Sequence, residues 1–279
     1  YKTVGGVTPD SVKNITVEKM KDVHEQIIGG GDFFIVAIGT VKTKKLVKTL
    51  NKTIGNLEFD SARKHVMQNI PPVKIEKKKP MILTHPSAAG TAYCARVFAS
   101  PVVNGEDTIP AFLAGEIYSD ILYNVVREHY GICYTPYSSV ITSKAPVSQD
   151  YLYKVSDYKN AGKAVKEAMG YMSRGVTVEK SNEDGSYVFS TVAENLESYR
   201  SKWLNSKYGN SKTTSGQMFR MISDIMYHED MDYDLKEVEL IKKITAEDIV
   251  RVFNKYWVEG NGNWYAVTFP GNEKNLILE

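Results

Sequence analysis

The chain has 279 residues, enough for one large hydrophobic core or two smaller ones. Lys and Arg number 35 against 33 Asp and Glu, a near-balance that gives no field to attract nucleic acid or an anionic membrane surface. No apolar run reaches membrane-spanning length, and two cysteines do not make a disulfide framework.

Thr16 reads as the N-cap of a first helix that runs to about Ile28, with Glu18 facing the positive end of its dipole, and Gly29-Gly30-Gly31 stops it. Phe33 to Ile38 is a short apolar run suited to a buried strand, opened by Asp32. A second helix from about Thr43 carries the stripe Leu46, Val47, Leu50 and Ile54, and Gly55 ends it. One strand cannot build a sheet, so this helix–strand–helix piece needs strands from elsewhere, from another chain, a second copy, or an open edge of the same chain.

Residues from Phe59 to Pro80 form a Pro- and Lys-rich crossing, whose basic run Lys74 to Lys79 reads as a solvated linker. Thr91 to Phe98 alternates as a strand. Gly105 to Thr108 is a turn with a cap, and Pro110 sits in the first turn of a long helix with Leu113, Ile117, Ile121, Leu122 and Val125 on one face, broken by Gly131. Strands follow around Ile132–Thr142 and Asp150–Val155. Ala161, Ala164, Val165, Ala168, Met169 and Met172 then keep strict helical spacing. Further helices are expected around Thr177–Leu204 (with Gly185 as a weak point), Thr214–Tyr227, Tyr233–Lys242 and Thr245–Val258, and a last strand over Trp264–Phe269. Cys94 and Cys133 fall in strand-like stretches and read as small buried hydrophobes.

The chain says one thing twice. Ile15-Thr16-Val17-Glu18 leads into a helix, glycines and an apolar strand; Ile244-Thr245-Ala246-Glu247 does the same, 229 residues later. That offset is the length of a domain, too long for a solenoid repeat. The reading is the end of one domain (1–58), a linker (59–80) and a complete second copy (81–279). Strands first, helices after and a strand last give an α+β layer, with helices packed on one face of a mainly antiparallel sheet. Because the chain opens at Tyr1 it reads as a fragment or processed chain, and the compartment stays open, bacterial periplasm or cytoplasm.

The five histidines, His24, His65, His85, His129 and His228, show no two-His ligand spacing, and His24-Glu25 lacks a second His where H-E-x-x-H would need it, at Ile28. There is no nucleophile elbow, phosphate loop or dinucleotide fingerprint. Glu183-Asp184 beside Gly185 reads as a solvated turn. One constellation stands out: Arg127-Glu128-His129-Tyr130-Gly131-Ile132-Cys133-Tyr134. If the chain reverses at Gly131, Arg127 and Tyr134 reach one space, where a cationic fork and a neutral hydroxyl can grip a peptide carbonyl and stabilise charge on its oxygen. On spacing alone a plainer reading stands beside it: an Arg serving the helix C-terminus and an ordinary strand Tyr.

That stretch looks like the R-E-x-x-G-x-x-Y signature of the pitrilysin and insulin-degrading-enzyme family of zinc peptidases, the inverzincins. The duplicated I-T-x-E segment and Ala193-Glu194-Asn195-Leu196-Glu197-Ser198-Tyr199-Arg200 are also similar to that family. The chain thus resembles its C-terminal, non-zinc half. The resemblance implies duplicated metallohydrolase-like domains of the LuxS/pitrilysin type, two clam-shell halves, and a zinc held by H-x-x-E-H in the other half, since that motif is absent here. It implies no cofactor in this chain, a zinc-bearing partner half and a peptide substrate, with no nucleic acid or membrane. Arg127 and Tyr134 become the catalytic candidates, and this chain alone should hydrolyse nothing. The rival is a silent scaffold or peptide-binding subunit of the same fold.

Overall fold

A computed structural model describes residues 7–30, 33–57, 73–143, 146–180, 184 and 186–279. The chain divides into two compact units, Tyr1–Asn69 and Ile70–Glu279.

In the first unit, α1 (Pro9–Lys13) is closed by a reciprocal cap between Thr8 and Ser11. Helix α2 (Val17–Gly30) starts where Thr16 Oγ1 accepts from Lys19 N at 3.3 Å. Helix α3 (Thr43–Lys52) ends before Gly55, at Thr53, and a single 3₁₀ turn, Ile54–Asn56, follows. Phe33–Ile38 forms no strand, contrary to the sequence expectation. A strand exists only against a partner ladder, and no described residue of this unit belongs to one. Asp32 and Gly31 lie outside the described residues. No described residue of this unit is buried; Val17, Met20, Val23 and Ile27 of α2 all lie exposed.

The second unit is built on a five-stranded sheet of β1 (Met81–Thr84), β2 (Ala92–Ala99), β3 (Thr135–Ser139), β4 (Val147–Val155) and β7 (Asn263–Thr268), in the order β1-β7-β2-β4-β3. All neighbours are antiparallel except β1 and β7. The short β1 is hidden from a sequence reading by Pro80 and the lysines before it. Alternation along β2 sends Ala92, Cys94, Arg96 and Phe98 to the buried face. Helices α4 (Thr108–Leu122), α5 (Ala161–Ser173) and α9 (Ala246–Phe253) form the layer on that face, and their buried residues build the core together with Trp257. Trp257 stacks on Phe253 at 5.2 Å and meets Phe98 at a tilt at 4.8 Å. Its indole donates to Ser138 Oγ and Asp150 Oδ1, while Arg96 bonds Asp150 and the Trp257 carbonyl, so the buried charges are paired.

Residues 177–191 correct a second expectation. Their described parts form an antiparallel hairpin pair, β5 (Val176–Lys180) with β6 (Tyr187–Thr191), and only then comes a helix, α6 (Val192–Asn210). β-Branched and aromatic residues, Val176-Thr177-Val178 and Tyr187-Val188-Phe189, favour the pleated state, and Thr191 with Glu194 makes the capping box that starts α6. Helices α7 (Thr214–His228) and α8 (Tyr233–Ile241) follow. Asp107, in the expected cap, makes no cap bond. Its buried carboxylate takes Arg251, Lys255 and Tyr256 instead, tying the start of α4 to α9. Of the expected linker, residues 59–72 lie outside the described residues; Glu76 and Lys78 hydrogen-bond Asn263 beside the sheet.

Candidate functional site

Helix α4 does not stop at Leu122. It continues through a widened π turn, Tyr123–His129, marked by Tyr130 N donating to the Val125 carbonyl five residues back at 3.0 Å. Gly131 then takes φ +64°, a left-handed conformation that glycine adopts without strain, and the chain reverses into β3. Gly131 N and Ile132 N close the last carbonyls of the turn, those of Arg127 and Val126.

The reversal brings Arg127 and Tyr134 together. The guanidinium lies over the Tyr134 ring, 4.1 Å from its centroid, and Nη1 donates to the Tyr134 carbonyl at 3.2 Å. It also lies over Tyr123, 4.7 Å from that centroid. Arg127 Nε is 3.1 Å from Glu128 Oε1. Lys180 of β5 donates to the Glu128 carbonyl at 2.9 Å, and its own N–H donates to Asn124 Oδ1 at 3.2 Å, so the hairpin braces the turn. Tyr134 is 72% exposed, and its phenol faces solvent.

Arg127 therefore does not serve the last-turn carbonyls, which have other donors. A stacked, paired guanidinium loses its freedom, and a phenol beside it offers a hydroxyl donor. The pair can hold an oxygen that carries, or is gaining, negative charge. Tyr123 is the residue a sequence reading misses, although its spacing of four from Arg127 on one helix is a contact signal. Nothing in the sequence marks Lys180.

Cys94 and Cys133 are buried free thiols; burial pushes Cys94 up to about 12 and Cys133 up to about 11. Neither is a nucleophile at ordinary pH. His129 packs on the rings of Tyr130 and Tyr187, His228 stacks on Tyr233, His85 accepts from Ser87 N, and His24 is exposed on α2. His65, Glu183 and Gly185 lie outside the described residues. Asp184 accepts from Ser186 in a turn. Among the described residues no three His, Cys, Asp or Glu side chains come together to hold a metal ion, so this chain's described residues do not fit zinc.

Comparison with solved structures gives several likenesses. A protease from Helicobacter pylori matches with a TM-score of 0.66 and 13% identity over 94% of this chain and 61% of that one. A peptidase M16 inactive domain from Pseudomonas fluorescens matches at 0.65 and 13% identity, over 94% and 59%. A conserved protein from Enterococcus faecalis matches at 0.67 and 12% identity, over 94% and 58%. At such identities the likeness is one of fold, and the chain spans about three fifths of the length of these structures. A comparison with curated proteins gives no match. The family model described as the peptidase M16 inactive domain matches residues 14–175, more than half of the sequence. Sequence and fold agree, and the chain belongs to the peptidase M16 inactive-domain family, as the C-terminal half of a pitrilysin-like protease would.

Proposed function

We propose that this chain is the non-catalytic portion of a zinc peptidase. It closes a chamber against a zinc-bearing half and presents Arg127 and Tyr134 to a bound peptide. The carrying observation is the guanidinium over the rings of both Tyr123 and Tyr134, with Tyr134 largely exposed. Arg127 orients the peptide by a charge-assisted hydrogen bond to a carbonyl oxygen, and the Tyr134 hydroxyl donates to the same oxygen as charge develops on it. Zinc belongs to the other half in this reading, and no step runs through a metal held here.

Recombining the chain with the H-x-x-E-H-bearing half of the same peptidase tests it. Peptide hydrolysis appears only in the mixture. Tyr134→Phe then lowers kcat by roughly ten- to a thousandfold, as loss of one oxyanion donor does. Turnover unchanged in that variant rejects the role and leaves a silent scaffold or peptide-binding subunit.

A further inference from the structure

The face of the sheet turned away from the helices carries a second built feature. The register places Ala95 of β2 between Tyr151 of β4 and Tyr265 of β7. A methyl group between two tyrosines leaves a slot of about 240 Å³, walled also by Tyr93, Tyr153 and Leu83. Its lining contains no Asp, Glu, Lys, Arg or His. One wall is packed before anything binds: Tyr151 and Tyr153 stack at 5.6 Å and 13°, Tyr137 stacks on Tyr151 at 4.9 Å, and Tyr93 meets Tyr153 edge-on at 6.2 Å. Leu83 and Tyr265 lie 58% and 42% exposed beside it. Burial and neighbouring phenols push Tyr137 up to about 12, so it stays neutral at physiological pH.

Size and chemistry narrow the occupant. Pockets for drug-sized ligands run to roughly 300–1,000 Å³. This slot takes one leucine- or phenylalanine-sized side chain and is too small for a docked helix. Its charge-free lining disfavours ionic ligands. The slot lies beside the strand that follows the candidate site. Thr135, next to Tyr134 in the chain, pairs with Tyr153. The slot lies two strands beyond β3, roughly 10–15 Å from the start of β3, or about four residues of extended peptide. The β3 edge offers no rival mode. Pro136 of β3 lacks an N–H, and Ser138 spends its N–H and carbonyl on Ser119 Oγ at 3.0 and 3.2 Å. A peptide beside β3 is therefore read by its side chains, without adding a strand.

We propose that the slot floored by Ala95 binds one apolar side chain, Phe, Leu or Tyr, of an extended peptide, about four residues from the bond held at Arg127 and Tyr134. This rests on the peptide-holding reading above.

The test uses the full 279-residue chain and two fluorescein-labelled Gly/Ser decapeptides, identical except that one carries a single central Phe, with affinity read by fluorescence anisotropy. The wild-type chain binds the Phe peptide about tenfold more tightly, on the order expected for burying one aromatic side chain. Ala95→Phe, which fills the slot from the protein's own side, and Tyr265→Ala, which removes a wall, each bring the ratio close to one. Circular dichroism and the thermal midpoint show that both variants fold. Arg127→Ala lowers affinity for both peptides and keeps the ratio, so failure of the Arg127 reading and failure of the slot are separate results. Equal affinity of the wild-type chain for the two peptides overturns the proposal. So does no measurable binding of either, a preference that survives Ala95→Phe, or self-association through this face that Ala95→Phe abolishes.

Discussion

Arg127 lies over the rings of both Tyr134 and Tyr123, and the proposed role makes Tyr123 a positioning residue for it. A cation over a ring is worth roughly 0.5–2 kcal/mol, most of it in where the charge sits. In the recombined peptidase, Tyr123→Phe keeps the ring and stays near wild type, whereas Tyr123→Leu loses about three- to tenfold in kcat/KM, mainly through KM, within the range set by that energy. Equal behaviour of the two variants would show that the ring face does not matter. At this scale the sequence was informative in part. Arg127, Gly131 and Tyr134 stand out in it because a glycine between a helix and a strand announces a reversal. Tyr123 was legible in its spacing but hidden by its position within the helix. Lys180 was not legible at all, since only the hairpin brings it to Glu128.

Among the elements, the turn at Gly131 fixes the site. Nothing lies within 4 Å of where a Cβ would sit there, so Gly131→Ala costs only the left-handed backbone strain, about 1 kcal/mol. Urea unfolding should show that loss, and an unchanged midpoint would mean the turn relaxes freely. The joint between α4 and α9 depends on Asp107. Burial pushes its carboxyl up, but hydrogen bonds from Lys255, Arg251 and Tyr256 outweigh that and hold it below the ordinary 3.8. A depressed folded value stabilises the protein above the unfolded pKa and ceases to do so as pH falls through the folded one. The stability gap between wild type and Asp107→Asn should thus be constant from neutral pH to about pH 4–5 and shrink below that; a gap that widens on acidification would contradict it. Periodic helices such as α5 were plain in the sequence, because burial on one face writes its own spacing. The β5–β6 pair stands where a helix is expected from Thr177, because the β-branched and aromatic residues of both strands favour the pleated state.

For the whole molecule, the first unit carries exposed apolar helix residues and no strand among its described residues, while the second owns a five-stranded sheet. The α+β class was legible from element order; that 33–38 forms no strand was not, since strand formation needs a partner that local sequence cannot supply. The account's central claim is that two groups on this polypeptide act on a single peptide oxygen. Groups that share one oxygen are coupled, and removing either removes much of what the other gives. The direct measurement is a double-mutant cycle in kcat/KM on the recombined peptidase, with Arg127→Ala, Tyr134→Phe and both. The account predicts that the double variant is little worse than the poorer single one, a coupling of about 1 kcal/mol or more. Two independent, additive losses, or wild-type rates in either single variant, would contradict it.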